Sequence, residues 1–187
     1  PGTYKAVFIY GTDSSETSIK VNMDPRIDVQ MADLQAKEAF LKKTESLSTE
    51  VSAATAKLNE AQKTIDKVNA MVKDITTPEA KALAEAAKDI KKKLDTTREA
   101  FNGPTREGQG IVRNLFPTTM TRQYAPRSYA NSSFGAPGAT EERLYNQAKE
   151  SAEEAIAEVN KFMEGEWKAF EEKVKATPID IFEAIKK

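Results

Sequence analysis

Two periods of apolar positions divide this chain. Residues 3–10, Thr-Tyr-Lys-Ala-Val-Phe-Ile-Tyr, are dense in β-branched and aromatic side chains. Residues 17–23 alternate and place Ile19, Val21 and Met23 on one face, with turn-forming residues from Gly11 to Ser15 between the two segments. This pattern predicts a β-hairpin. Asp24-Pro25 ends its second strand, because proline has no N–H for a ladder. Two strands alone are marginal in water. Tyr4, Phe8 and Ile9 therefore require a cover, from the helices or from a sheet that has been cut away.

From residue 28 to 75 the period becomes helical. Leu47, Val51, Ala54, Leu58, Ala61, Ile65, Val68, Val72 and Ile75 recur at steps of three and four, and neither Gly nor Pro interrupts the run between Arg26 and Thr77. At ~1.5 Å per residue such a helix approaches ~70 Å. It is not stable alone, so its stripe must face other helices. Thr76-Thr77-Pro78-Glu79 reads as a break and restart, with Thr76 and Glu79 at capping-box spacing. A second helix follows to about Phe101, with Leu83, Ala87, Ile90, Leu94 and Thr97 on its inner face, and Asn102-Gly103-Pro104 stops it. The short link predicts an antiparallel pair.

Residues 103–138 break the pattern and read as a long loop. A third helix is expected from about Thr140 to Lys175, with Tyr145, Ala148, Ala152, Ile156, Val159, Met163, Trp167, Phe170 and Val174 as its stripe. Trp167 reads as core, and Gly165 weakens the helix locally by ~1 kcal/mol against Ala. Thr177-Pro178 starts a last short helix that docks through Ile181, Phe182 and Ile185. The expected fold is mainly α: an antiparallel three-helix bundle with a short terminal helix over residues 27–187, preceded at residues 1–26 by a β-hairpin.

Composition removes most chemistry from consideration. The 187 residues include no His and no Cys. That excludes Cys/His zinc sites and the His-dependent nucleophile systems within this chain. No cofactor or metal is expected. The net charge of −1 gives no global attraction to nucleic acid. No apolar run is long enough to insert into a membrane. Pro1 in place of Met is expected of a fragment from the C-terminal end of a larger protein.

The acidic residues interleave with Lys at helical spacing, as in Lys168–Glu172, which is the pattern of a solvated face with weak ion pairs. Gly108-Gln109-Gly110 lacks the remaining parts of a phosphate loop. Lys91-Lys92-Lys93 has no interleaved aromatics, so it reads as solvated surface. The loop at 103–138 is different. It holds Arg106, Arg113, Arg122 and Arg127 against a single acid, Glu107, together with Phe116, Tyr124, Tyr129 and Phe134. Arg and Tyr are enriched at binding hot spots. Arg113, Phe116, Arg122, Tyr124, Arg127 and Tyr129 are the candidate interaction surface. The competing reading is that these aromatics pin the loop to its own bundle.

Pro1-Gly2-Thr3-Tyr4, the alternating strand, Met23-Asp24-Pro25-Arg26 and Asp33-Leu34-Gln35 at the start of the long helix resemble a known junction. It is the C-terminal region of bacterial sortilin/VPS10-like proteins with Asp-box (BNR) β-propellers, often labelled glycosyl hydrolases. Trp167 and the segment 179–187 are similar to that family's chain end. The resemblance covers residues 1–45 and 138–187 best, and the Arg/Tyr-rich loop departs from it. It implies that the hairpin is the remnant of an immunoglobulin-like sandwich. It also implies that the propeller lies upstream, in a secreted, periplasmic or envelope parent.

These readings converge on a non-catalytic accessory module whose partners are the upstream domains of its parent or another protein. A self-associating coiled-coil adaptor and a part of a glycan-active hydrolase are the alternatives.

Overall fold

A seven-residue repeat of buried positions organises the helices. In the computed structural model, which describes residues 1–104 and 116–178, helix α1 (Met31–Val72) buries one residue at alternating steps of four and three from Phe40 through Leu47, Leu58 and Ile65 to Val72. Ile75 continues the series beyond the helix end. The 42 residues of α1 span about 63 Å. Helix α2 (Pro78–Asn102) repeats the rhythm with Ala80, Leu83, Ala87, Ile90, Leu94 and Phe101 buried. Its N-cap is Thr77 and not the expected Thr76: Thr77 Oγ1 accepts from the Ala80 N–H at 3.2 Å, with Pro78 in the first turn. Gly103 ends α2 at φ 71°, a conformation that favours glycine.

The third rod runs parallel to α1 and antiparallel to α2. Helix α5 (Ala139–Phe162) starts where Glu142 meets Lys43 at 2.7 Å, and further along Glu166 meets Lys93 at 3.9 Å. Ala148, Ala152, Ala155, Val159 and Phe162 keep the same alternation. The inner positions are thus Ala155 and Phe162, and the expected Ile156 and Met163 are half-buried. Seven residues past Phe162 stands Ala169, which is exposed. A π-helical turn at Met163–Trp167 takes up one extra residue, so that Phe170, at the start of helix α6 (Lys168–Ala176), reaches the core. Trp167 is half-buried rather than core, its ring 6.4 Å from Phe162 and 5.7 Å from Phe170. The expected terminal helix, with Ile181, Phe182 and Ile185, lies outside the described residues.

Helix α2 is shorter than α1, and the space beyond its end is filled from the segment expected to be a loop. Within 116–138 the chain forms helices α3 (Thr119–Arg122) and α4 (Ala125–Asn131). Helix α3 packs on α2 and α5, and α4 on α1 and α5. Together they extend the layer begun by α2, and Lys37 Nζ donates to the Ser133 carbonyl at 2.6 Å.

Strands β1 (Gly2–Tyr10) and β2 (Asp13–Val21) pair antiparallel, with Tyr10 opposite Asp13 and Gly2 opposite Val21. The turn is Gly11-Thr12 alone. Asp13, Ser14 and Ser15, expected in the turn, belong to β2. Gly11 has φ 59° and Thr12 does not have a positive φ, the sign pattern of a type II′ turn.

Deleting Gly165 brings Phe162 and Phe170 to seven-residue spacing and should shift unfolding free energy by less than ~1 kcal/mol in chemical denaturation. Deleting Ala157 from regular helix rotates every later position by ~100° and should cost more than ~3 kcal/mol. Equal losses would show that the π turn has no part in seating Phe170.

Candidate interaction surface

The segment after Gly103 is built by its hydroxyls. Thr118 caps α3 reciprocally: its N–H donates to Thr121 Oγ1 at 2.8 Å, and the Thr121 N–H donates to Thr118 Oγ1 at 3.3 Å. Thr119, one residue on, is buried. Its Oγ1 donates to the Ala100 carbonyl of α2 at 2.9 Å and lies 2.7 Å from Ser151 Oγ on α5. One hydroxyl thereby ties three helices. Thr119, Gln123, Pro126 and Ala130 form the inner face at steps of four, three and four, the rhythm of the long helices continued in small and polar residues. Gln123 Nε2 lies 3.3 Å from Met120 Sδ, and Gln123 Oε1 has no hydrogen-bond partner among the described residues.

With the inner positions so occupied, the aromatics face outward. Phe116, Tyr124, Tyr129 and Phe134 are all more than half exposed. They do not pin the segment to the bundle; Thr119, Gln123, Pro126 and Ala130 do. Phe116 and Arg122 come together on a groove of about 780 Å³ whose floor includes Pro117, Met120, Ala125 and Leu144. Arg122 is the only charged residue lining it among the described residues. Tyr124, Arg127 and Tyr129 lie on the same segment but do not line that groove. Arg122 and Arg127 make no ion pair among the described residues. Arg106, Arg113, the Gly108-Gln109-Gly110 sequence and the apolar Ile111, Val112 and Leu115 lie outside the described residues.

Beside this segment the sequence reading missed a cluster at the start of the bundle. Lys43 Nζ sits 4.0 Å from the centroid of the Tyr145 ring and 5.3 Å from that of Phe40, and it also pairs with Glu142. Carrying the α1 rhythm back from Leu47 to Thr44 and Phe40 would have found it. The rings and the carboxylate together hold the Lys43 ammonium where α1 meets α5.

A second surface is the hairpin. Strand residues alternate between faces. One face carries Tyr4, Phe8 and Tyr10 with Ile19 and Val21, which are 45–78% exposed. The other carries Lys5 and Glu16, paired at 2.6 Å, with Lys20, Val7 and Ile9. Of the residues in the two strands only Ala6 is half-buried. The helices do not supply the cover that Tyr4, Phe8 and Ile9 require.

Asp24, Glu38, Glu60 and Glu171 have acidities strengthened by side-chain hydrogen bonds from Arg26, Lys42, Lys63 and Lys175 respectively, all on the surface. Burial is not the cause in any of the four. Among the described residues no group of His, Cys, Asp and Glu is placed to hold a metal ion, and no helix is long and apolar enough to cross a membrane. Searches of family models, of curated proteins and of solved structures find no match to this chain.

Thr119→Val should cost ~1–3 kcal/mol in thermal or chemical unfolding, because it leaves the Ala100 carbonyl and Ser151 unpaired in the interior. Tyr129→Ala should stay within ~0.5 kcal/mol. The opposite ranking would place the aromatic, and not the hydroxyl, as the anchor. The four carboxylates predict a pH dependence as well. Their folded-state pKa values lie below the unfolded ones, so their contribution is present at neutral pH and lost as pH falls through the folded values. The melting temperature should be level from neutral pH to about pH 5 and fall below about pH 4, with the fall reduced in 1 M salt.

Proposed function

We propose that this chain is a non-catalytic accessory module: a self-supporting helical rod that carries a β-hairpin as its docking element for a larger protein. The observation that carries this reading is the exposure of Tyr4, Phe8, Ile9 and Tyr10 on a hairpin that none of the described helices covers. Burying those four side chains is worth roughly 1.5–3 kcal/mol each for the Phe and Ile alone. A chain that forgoes this gain within its own fold is organised to make it elsewhere.

The bundle needs no such help. Its stripes are directed at one another from Leu47 to Phe170, which leaves little apolar surface of α1 for a coiled-coil adaptor to use. Among the described residues no carboxylate lines the Phe116 groove, and the carboxylates with shifted acidity sit beside surface cations, an arrangement of solvated helix faces rather than of glycan hydrolysis. The resemblance of Met23–Arg26 and Asp33–Gln35 to the junction of Asp-box propeller proteins supports upstream domains of the same polypeptide as the docking partner. On that reading the parent is secreted or held in the cell envelope.

Removing residues 1–21 tests the division of labour. The helical far-UV signal and the unfolding free energy of the truncated chain should match the full chain within ~0.5 kcal/mol. A loss above ~2 kcal/mol would make the hairpin part of the bundle's own stability and end the docking reading.

A further inference from the structure

The segment that covers the end of the bundle has its polarity reversed. A surface helix ordinarily turns its apolar stripe to the core. From Phe116 to Phe134 the inner positions are Thr119, Gln123, Pro126 and Ala130, while Phe116, Tyr124, Tyr129 and Phe134 are exposed. The described residues bury three polar side chains, Thr44 on α1 and Thr119 and Gln123 on this segment. The segment thus leaves its rings in solvent and gains little apolar burial where it sits.

Its attachment to the bundle is correspondingly slight. The continuous core extends from Leu47 to Phe170, and of residues 116–134 only Met120 packs against it. Ala130 and Phe40, both buried, lie outside that core. What fastens the segment is polar: the Thr119 hydroxyl to Ala100 and Ser151 at one end, and the Ser133 carbonyl to Lys37 at the other. Between these two clasps Gln123 is only 7% exposed, and its Oε1 has no hydrogen-bond partner among the described residues. An acceptor buried without a partner penalises the seated form and regains water when the segment lifts away. Residues 132–138, which belong to no helix or strand, join the segment to α5.

We propose that α3 and α4 are a strap that opens as one unit from a bundle that stays folded. Opening uncovers the end of the α1/α5 seam at Phe40 and Tyr145, whose rings are 6.1 Å apart. It also dismantles the Phe116 groove, because one wall of that groove is Leu144 and Gln147 of α5 and the other is Met120, Arg122 and Ala125 of the strap. Groove and seam are therefore alternatives: the closed form presents the first and the open form the second. Whatever binds the groove holds the strap shut, through its differential affinity for the two forms.

Amide exchange by NMR on the full chain, from zero to sub-denaturing urea, tests this. The N–H groups of Arg122, Gln123 and Ser128 donate to the carbonyls of Thr118, Thr119 and Tyr124 within the strap. They should share one opening equilibrium, at least ~30-fold less protected than the amides of Val51, Leu58 and Leu94 and less dependent on urea. Ile65→Val, toward the other end of α1, should lower protection at Leu58 and Leu94 roughly 2- to 10-fold and leave the strap amides unchanged. Gln123→Leu removes the unpaired acceptor and should raise protection at Arg122 and Ser128 together, by about 5-fold or more. A second readout uses thiols, since the chain has no Cys of its own. With Ala130→Cys, labelling by a disulfide reagent should be at least ~30-fold faster than with Ala152→Cys in the core. Strap amides that match the core and fall with Ile65→Val would show that the strap opens only when the whole chain unfolds. Strap amides that shift singly with Gln123→Leu would show fraying in place of a unit. Either result, equal labelling of the two thiols, or no gain from Gln123→Leu overturns the proposal.

Discussion

Packing of one seven-residue repeat against another is the constraint from which the rest of this structure follows. A repeat of 3.5 residues per turn keeps a single line of side chains facing the partner along a rod of any length. Helices α1 and α2 hold that rhythm without error, and α5 holds it as far as Phe162. Where the sequence of the third rod slips by one residue, the backbone adapts with the π turn at Met163–Trp167 and the line resumes at Phe170. The small buried residues of α5, Ala148, Ala152 and Ala155, let the third rod lie close to the first two.

The same constraint explains the Arg/Tyr-rich segment. Helix α2 ends at Asn102, well short of the level of Phe40, and an uncovered stretch of α1 and α5 remains. Helices α3 and α4 cover it with Thr119, Gln123, Pro126 and Ala130. Their outer side is then at liberty to carry rings and guanidinium groups. Covering the bundle's end and presenting Phe116, Arg122, Tyr124 and Tyr129 are two sides of one short segment.

Much of this was legible in the chain, and the rest has a physical reason for being hidden. The stripes of α1 and α2 were readable because Leu, Ile and Val fill most of their inner positions. On α5 the inner line is largely Ala, and larger neighbours at Ile156 and Met163 drew the reading one position off. Helices α3 and α4 were invisible for a related reason: a Thr, a Gln, a Pro and an Ala form no hydrophobic pattern, and their burial depends on a hydroxyl finding Ala100 and Ser151. The hairpin was readable as an element and as one in want of cover, because alternation is a local signal. The candidate surface was legible in composition only: Arg122 and Phe116 share a groove, and the remaining exposed rings do not.

The Thr119 joint also orders the assembly of the chain in time. The link between α1 and α2 is residues 73–77, whereas the return to α5 crosses residues 103–138. On chain-entropy grounds the longer closure costs ~1.7 kcal/mol more. The α1–α2 pair is therefore the first nucleus available, and α5 arrives by a slower search. Since the Thr119 hydroxyl requires the end of α2 and the middle of α5 to be already side by side, α3 and α4 latch last. The segment that carries the exposed rings thus matures only once the rods are home, and a nascent chain presents no finished patch while the bundle is still incomplete.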